Sequence, residues 1–337
     1  MPNELIKLDH GAGGGMSQEL IGDVIVKTLG EVYVGLMEDS ADVPLDTARI
    51  AITTDSFVVD PLFFGNGDIG KIAVAGTVND LAVSGAKPRY LTLALIIEEG
   101  FPISDLVRVL ESVRATALEA GVLIVAGDTK VVRRGEADGL YINTTGVGLH
   151  NRPELRLSSR RLRPGDGVIV TGYLGDHSVH LLSLREGLGF ETRVLSDCAP
   201  LNGVLADLFD ACGAGIRCVR DVTRGGLGTV LNEFAGDSAV DIRLDGSALP
   251  IRHETGMAAD MLGVDVMYLA NEGVLCVVAD PTVVPSALDV LRGHETTAKS
   301  SLVGEVVAGD GRVWLQDEQG GRSTVDLLYG AQLPRLC

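Results

Sequence analysis

The stretch Thr53–Pro88 reads TTDSFVVDPLFFGNGDIGKIAVAGTVNDLAVSGAKP, and it decides the fold class. Its first residues continue a β-branched run, ARIAITTDSFVVD, which predicts a strand that runs out at Asp55. The apolar segment after it predicts a helix from about Ile69 to Ala82, which glycine and proline then close. A strand that leads into a helix in this way indicates an α/β protein in which helices pack on sheets.

The same two patterns alternate through the rest of the chain. Its 337 residues suggest about two domains. We expect an N-terminal domain at 1–152, a C-terminal domain at 153–325 and a flexible tail at 326–337. The polar stretch NRPELRLSSRRLRPGDG, residues 151–167, is typical of a connection between domains.

Charge and cysteine usage narrow the class of protein. The formal net charge of −18 repels nucleic acid and anionic membranes, so we expect neither as a partner. No apolar run approaches the roughly 18–20 residues of a membrane-spanning helix, and no signal peptide opens the sequence. The five cysteines form no CxxC pair, which indicates a reducing compartment. These features together predict a cytoplasmic protein.

Several aspartates stand where a predicted strand ends or a helix begins. They are Asp39, Asp55, Asp68, Asp80 and Asp128. Because the ends of neighbouring strands converge, such carboxylates can converge too, and hard oxygen ligands suit Mg²⁺. The alternative for each one is a helix cap or a turn that bonds its own backbone. The repetition of the pattern favours the metal site.

Two glycine-rich stretches are candidates for holding phosphate. HGAGGG, residues 10–15, lacks a preceding strand, and a flexible terminus explains it nearly as well. TRGGLG, residues 223–228, opens a predicted helix and carries Arg224, so its backbone N–H groups are better placed for an anion. A plain strand–helix turn is the alternative for this second stretch.

The remaining reactive side chains divide into two groups. His177 and His180 lie three residues apart on a predicted helix. We favour histidines that are hydrogen-bonded within the protein over metal ligands, because no third ligand stands nearby. Cys212 and Cys218 flank a turn and are interpreted as structural. Cys337 is the last residue, which excludes prenylation, since that modification needs a cysteine four residues from the end.

Eight motifs follow one another from the first turn to the last residue. They are HGAGGG, DSFVVDP, AGTVNDLA, GDTKVV, GDH, DVTRGGL, NEG and the terminal PRLC. In this order they resemble the HypE family of hydrogenase maturation factors, within the PurM-like superfamily of aminoimidazole ribonucleotide synthetase. The resemblance implies an α/β (α+β) fold of two PurM-like domains, each with a mixed β-sheet flanked by helices, and a mobile C-terminal tail.

The resemblance also implies an activity and partners. A HypF-type carbamoyltransferase would place a carbamoyl group on the C-terminal thiol. The chain would then use ATP and Mg²⁺ to dehydrate that group to a thiocyanate, whose cyanide passes to iron held by a HypC–HypD complex. The product would be the cyanide ligand of a [NiFe]-hydrogenase, and the chain is expected to act as a homodimer.

Roles for single residues follow from the same resemblance. It implies catalytic roles for Cys337 as the carrier, Glu272 as a candidate base and Lys130 as an orienting group. It implies Mg²⁺ ligands at Asp39, Asp55, Asp80 and Asp128. It implies nucleotide contacts at Gly13, Gly14, Asp68, Lys71, Asn79, Arg224, Gly225 and Gly226.

Three other functions compete with this one. A selenophosphate synthetase of the same superfamily would carry cysteine or selenocysteine in the first glycine loop, and HGAGGG has none. A small-molecule kinase would not need Cys337. A non-catalytic acidic scaffold is the alternative from another class, and the ordered aspartates argue against it.

Overall fold

A computed structural model describes residues 5–11, 16, 19–34, 45, 49–317 and 320–327. The chain divides into two compact units. The first holds the described residues up to Leu81 and Ala86–Asn151, and the second holds Ala82–Gly85 and the described residues from Arg152 onward. The predicted site residues Gly13, Gly14, Asp39 and Cys337 lie outside the described residues.

The first unit contains a four-stranded sheet in the order β1–β4–β2–β3. Its strands are β1 (Ile50–Phe57), β2 (Lys87–Glu98), β3 (Leu123–Val132) and β4 (Leu140–Leu149). The β2–β3 pair is parallel and the other two pairs are antiparallel, so the sheet is mixed, as predicted. Its helical segments are a π-helix at Leu20–Val26 that continues as Lys27–Leu29, α1 (Ile69–Val83) and α2 (Ile103–Ala120).

The quoted stretch forms the strand and the helix that its pattern predicts. β1 continues past Asp55 to Phe57, because Ser56 and Phe57 remain paired with β4. α1 is buried on nearly every side, with Ile72 and Val74 wholly inaccessible, which explains its almost uninterrupted apolar sequence. Gly70 allows α1 to approach α2, since a Cβ at this position would overlap the carbonyl oxygen of Val109.

The two faces of the first sheet differ in exposure. Thr53, Asp55 and Phe57 are half-buried, and hydrogen bonds and contacts join them to α1. The alternate residues of β1 are exposed, and Ile52 among them is 65% exposed. The residues that share this exposed side are Ile52, Thr54, Ser56, Ala94, Ile96, Asp128, Lys130, Asn143 and Thr145. We call this surface the open face.

The second unit contains a seven-stranded sheet in the order β11–β10–β7–β9–β5–β8–β6. Its strands are β5 (Gly167–Val170), β6 (Ile216–Asp221), β7 (Val240–Asp245), β8 (Leu275–Ala279), β9 (Ser301–Ala308), β10 (Val313–Gln316) and β11 (Arg322–Thr324). Its helices are α3 (Asp176–Glu186), α4 (Asn202–Cys212), α5 (Gly226–Ser238), α6 (His253–Leu262) and α7 (Val284–Arg292). The β7–β10 pair is parallel and the other pairs are antiparallel.

Helices cover both faces of the second sheet. Val168 of β5 joins a core that includes Phe234 of α5, and the next residue, Ile169, joins a separate core with Leu208 of α4 and Leu291 of α7. A strand that is buried on both faces needs apolar residues at every position. This is why β5 and β8 appear in the sequence as unbroken apolar runs.

Candidate active site

Asp68 caps α1. Its Oδ1 accepts the N–H groups of Gly70 at 2.8 Å and Lys71 at 3.1 Å, and its Oδ2 accepts the hydroxyl of Ser112 at 2.5 Å. Burial raises the pKa of this carboxyl, and the hydrogen bonds oppose that rise. The capping alternative therefore holds for Asp68, and its contact with a nucleotide stays a prediction.

Asp55 and Asp80 lie on the same side of the first sheet. Asp55 Oδ2 accepts the hydroxyl of Thr77 from α1 at 2.9 Å, and Asp80 Oδ2, on α1, accepts the hydroxyl of Thr53 from β1 at 2.9 Å. Both carboxylates are half-buried. The structure thus brings two of the predicted metal ligands to one strand–helix contact.

Asp128 and Lys130 point to the opposite side of that sheet. The row of residues that faces α1 consists of Asp55, Thr144, Leu93 and Gly127, paired strand to strand. Side chains alternate along a strand, so Asp128, the neighbour of Gly127, lies on the open face in the row of Ser56. Both charged side chains are exposed. Within the part of the chain that the structure describes, neither is in an ion pair.

Within one chain, Asp128 therefore does not join Asp55 and Asp80. β1 and β3 are the outer strands of the sheet, three strand spacings or about 14 Å apart. Among the described residues, no three His, Cys, Asp or Glu side chains are close enough to hold a metal ion. Mg²⁺ commonly binds one or two carboxylates together with phosphate oxygens and water. Asp55 and Asp80 fit that donor set, and the ligand assignment stays a prediction.

Lys71 and Asn79 occupy different environments on α1. Lys71 is half-buried, and its Nζ donates to the carbonyl oxygen of Asn66 at 3.4 Å. Asn79 is 2% exposed and follows the buried Val78. Both share the helix of Asp80, and their contact with a nucleotide stays a prediction.

The glycine pair of the second unit opens α5, as predicted. Gly225 and Gly226 have φ values of 79° and 60°, in the region that favours glycine. A Cβ on Gly226 would overlap the carbonyl oxygen of Met267, so this turn also needs glycine for close packing. Arg224 is exposed beside the helix N-terminus, where the helix dipole favours negative charge. This arrangement suits a phosphate, and the contact itself stays a prediction.

Glu272, the predicted base, lies in a tightly bonded loop of the second unit. It is 8% exposed, and its backbone N–H donates to Asp197 Oδ1 at 2.9 Å. The preceding residue, Asn271, donates from Nδ2 to Asp197 Oδ2 at 2.7 Å and accepts the N–H of Gly175 at 3.1 Å through Oδ1. The loop is therefore held by Asp197 on one side and by Gly175 on the other.

His177 and His180 serve the packing of α3. His177 Nδ1 lies 2.8 Å from Ser196 Oγ, and His180 Nδ1 lies 2.7 Å from the carbonyl oxygen of Val194. Burial lowers the pKa of His177 to about 3, and the neighbouring His180 adds to the shift. Both histidines are buried and hydrogen-bonded to neighbouring residues, which favours a structural role over metal binding.

The four described cysteines are buried free thiols. Burial raises the pKa of Cys218 to about 12 and raises that of Cys276 as well. A thiol with a raised pKa is a poor nucleophile. The burial of Cys212 and Cys218 agrees with their interpretation as structural residues.

Sequence reasoning missed Asp197. It lies in an irregular segment after α3, away from any strand end or glycine motif. Its two hydrogen bonds reach residues more than 70 positions further along the chain. A signal in the sequence was the motif NEG itself, whose buried asparagine needs a partner for its amide group.

Comparison with known proteins identifies the family. The model of the AIR synthase related protein N-terminal domain matches residues 37–150, and that of the C-terminal domain matches residues 163–316. The carbamoyl dehydratase HypE of Azotobacter vinelandii is 44% identical over 99% of this chain and 98% of its own length. Among the described residues, no helix is long and apolar enough to cross a bilayer.

Solved structures agree with the sequence comparison. A crystal structure of the hydrogenase maturation protein HypE in complex with ATP is 41% identical, with a TM-score of 0.93 over 98% of this chain and 99% of that one. A crystal structure of a HypE–HypF complex is 43% identical, with a TM-score of 0.80 over 84% of this chain and 92% of that one. The predicted two-domain PurM-like fold is confirmed, and the chain belongs to the HypE family of carbamoyl dehydratases in hydrogenase maturation.

Proposed function

We propose that this chain uses ATP to dehydrate a carbamoyl group carried on the thiol of Cys337, and so produces a thiocyanate. The observation that carries the proposal is the near full-length identity of 44% to a carbamoyl dehydratase HypE. In this proposal the thiol of Cys337 carries the carbamoyl group from its donor to the ATP site.

The chemistry requires a better leaving group than an amide oxygen. Bound ATP supplies a phosphoryl group for the carbamoyl oxygen, so that this oxygen departs as phosphate and ADP remains. The carbamoyl nitrogen must lose its two protons before S–C≡N is complete. In this proposal Glu272 takes a proton from that nitrogen and Lys130 orients the carbamoyl oxygen. Mg²⁺ held by Asp55 and Asp80, with phosphate oxygens and water as its other ligands, would balance the charge of phosphoryl transfer.

Phosphate contacts follow from the same proposal. The start of α5 offers backbone N–H groups and the exposed Arg224. Lys71 and Asn79 share α1 with Asp80. Gly13, Gly14 and Asp68 complete the proposed nucleotide contacts.

The open face supports the proposal of a homodimer. It presents Ile52 at 65% and Ile96 at 42% exposure among other β-branched and small residues. Asp128 and Lys130 lie on the same face, so pairing through it would bring these charges to a second copy. Sheet pairing of two first units is therefore the geometry that we propose.

Partners and location complete the proposal. A HypE relative has been crystallised with HypF, and we propose a HypF-type carbamoyltransferase as the donor for this chain. A HypC–HypD complex that carries iron is proposed as the acceptor of the cyanide. A cytoplasmic location agrees with the free thiols of the described cysteines.

Peptide mapping by mass spectrometry tests the function. With carbamoyl phosphate, ATP and the carbamoyltransferase, Cys337 should gain a carbamoyl group. Added Mg²⁺-ATP should then remove the mass of one water from the same peptide, with release of ADP and phosphate. The buried Cys212, Cys218 and Cys276 are internal controls and should stay unmodified. A carbamoyl group on an internal cysteine, or a terminal peptide that never loses water, would contradict the proposal.

A further inference from the structure

The loop that carries Glu272 is held by one carboxylate from a distant segment. Asp197 accepts two hydrogen bonds from it, one from the N–H of Glu272 at 2.9 Å and one from the side chain of Asn271 at 2.7 Å. The next residue, Gly273, touches the same segment, since a Cβ there would overlap the carbonyl oxygen of Asp197. We call residues 194–199 the strap.

The strap is fixed in turn to α3. The carbonyl oxygen of Val194 accepts a hydrogen bond from the ring of His180, and Ser196 Oγ lies 2.8 Å from Nδ1 of His177. Ser196 Oγ also accepts the N–H of Cys198 at 3.2 Å. Both histidines are buried, so the part of the strap that precedes Asp197 is hydrogen-bonded to the interior of the second unit.

Asn271 extends the network to two further turns. Its amide oxygen accepts the N–H of Gly175, which immediately precedes α3, and its Nδ2 donates to the carbonyl oxygen of Tyr173 at 3.0 Å. Its own N–H donates to Val222 at 2.9 Å, one residue before the turn of the proposed phosphate site. Asp197 therefore fixes an asparagine that joins three loops of the second unit.

We infer that Asp197 is a positioning residue for Glu272. A hydrogen bond from a backbone N–H to an ionised carboxylate is stronger than one to a neutral acceptor. By holding the backbone at Glu272 and the side chain at Asn271, Asp197 fixes the direction in which the side chain of Glu272 leaves the loop. The inference rests on the proposed function, in which Glu272 is the base for the carbamoyl nitrogen.

The substitution Asp197→Asn isolates this role. An asparagine has nearly the same size, but its amide has one acceptor atom where the carboxylate has two. One of its N–H groups would then face a donor, either Nδ2 of Asn271 or the N–H of Glu272. If Asn271 rotates its amide to relieve this clash, its Nδ2 meets the N–H of Gly175 instead. Every arrangement leaves one donor opposite another donor.

The decisive measurement is the rate of single-turnover dehydration of the carbamoylated protein. We expect Asp197→Asn to lower that rate by roughly 10–100-fold, while KM for ATP changes less than about twofold, because Asp197 bonds the backbone of Glu272 directly and reaches the phosphate-site turn only through Asn271. Glu272→Gln should lower the rate further. The double variant should match Glu272→Gln alone, since a residue that acts through Glu272 has no effect once the base is gone.

A matched control separates positioning from general stability. Asp241, in the same unit, also accepts backbone N–H groups, from Asp310, Gly311 and Arg312, together with Nε1 of Trp314. Asp241→Asn should lower stability and leave the dehydration rate unchanged. If Asp197→Asn fails to fold, Ser196→Ala removes the strap's contact with His177, leaves its contact with His180, and should slow dehydration by a few fold with carbamoylation unaffected.

The outcomes distinguish the inference from the proposed function. A wild-type rate for Asp197→Asn, with Glu272→Gln inactive, would overturn the positioning role and leave the base intact. Additive effects in the double variant would also overturn it. A wild-type rate for Glu272→Gln would remove the base itself, and the positioning role with it.

Discussion

Replacement of His177 by glutamine should make the second unit less sensitive to acid. Burial is the main reason that the pKa of His177 falls from 6.5 to about 3. The unfolded chain takes up a proton on this ring near pH 6.5, whereas the folded protein excludes it. The folded state therefore keeps its full stability above pH 6.5 and loses stability as the pH falls toward 3. At pH 5 the loss relative to pH 8 is about 2 kcal/mol, which is 1.36 kcal/mol times the logarithm of 1 + 10^1.5.

One nearby group acts in the opposite direction. Burial raises the pKa of Asp197 from 3.8 to about 6, against its hydrogen bonds from Glu272 and Asn271, and the negative charge of Asp176 adds to the rise. Its contribution to stability is full below pH 3.8 and is lost as the pH rises through 6. As the pH falls from 8 to 5, Asp197 increases the free energy of unfolding by about 1 kcal/mol. This increase partly offsets the loss that His177 causes. The informative quantity is therefore the difference between wild type and variant at each pH.

Trp314 provides the readout for this measurement. It is the only tryptophan of the chain and lies in β10 of the second unit, where its Nε1 donates to Asp241 at 3.1 Å. Urea unfolding followed by its fluorescence reports on the unit that contains His177. Lost packing in His177→Gln changes the free energy of unfolding by the same amount at every pH. Titration of His177 in the wild type makes the difference between wild type and variant change by about 2 kcal/mol between pH 8 and pH 5. The exposed His253, replaced by glutamine, is the control. A difference that stays constant over this pH range would refute the reasoning.

Three further substitutions test other parts of the molecule. Asp80→Asn should abolish Mg²⁺-dependent ATP hydrolysis and leave the fold intact by circular dichroism; hydrolysis at the wild-type rate would show that the metal assignment is wrong. The free energy of unfolding of Asp197→Asn should rise by about 1 kcal/mol relative to wild type between pH 5 and pH 8, because the variant lacks the buried carboxyl that must ionise. The same fluorescence assay measures this difference. Ile52→Lys should convert a dimer to a monomer in light scattering, and a wild-type protein that is monomeric at micromolar concentration would contradict the sheet-pairing proposal.

Local signals made the secondary structure of the quoted stretch predictable. The apolar run, the helix start and the glycine–proline ending all lie within α1 or next to it, so no distant residue was needed to place it. The turn before α5 was predictable for the same reason, because the positive φ values at Gly225 and Gly226 require glycine there.

The face on which each aspartate lies was not predictable. Alternation along a strand says which residues share a side, but not which side a helix will cover. Asp128 lies opposite to Asp55 because Gly127, rather than Asp128, is in register with Leu93 and Thr144. That register depends on pairings between strands far apart in the sequence. The five aspartates therefore looked equivalent, whereas one caps a helix, two meet at β1 and α1, one lies on the open face and one lies outside the described residues.

The proposed base Glu272 and the carboxylate that bonds its loop, Asp197, differ in sequence signal. The motif NEG was recognisable by its resemblance to a family, although no spacing rule pointed to it. Asp197 was not recognisable, because a single carboxylate in an irregular segment belongs to no periodic pattern and its hydrogen-bond partners are far away in the sequence. The need for support was nevertheless implied, since a buried asparagine and a buried glutamate must both be satisfied by hydrogen bonds. Asp197 meets that need for the Asn271 side chain and the Glu272 backbone, and it does so with a charge that burial disfavours. A carboxyl kept in such a place raises the energy of the folded state at neutral pH, so its presence is better explained by the geometry it imposes on Glu272 than by stability.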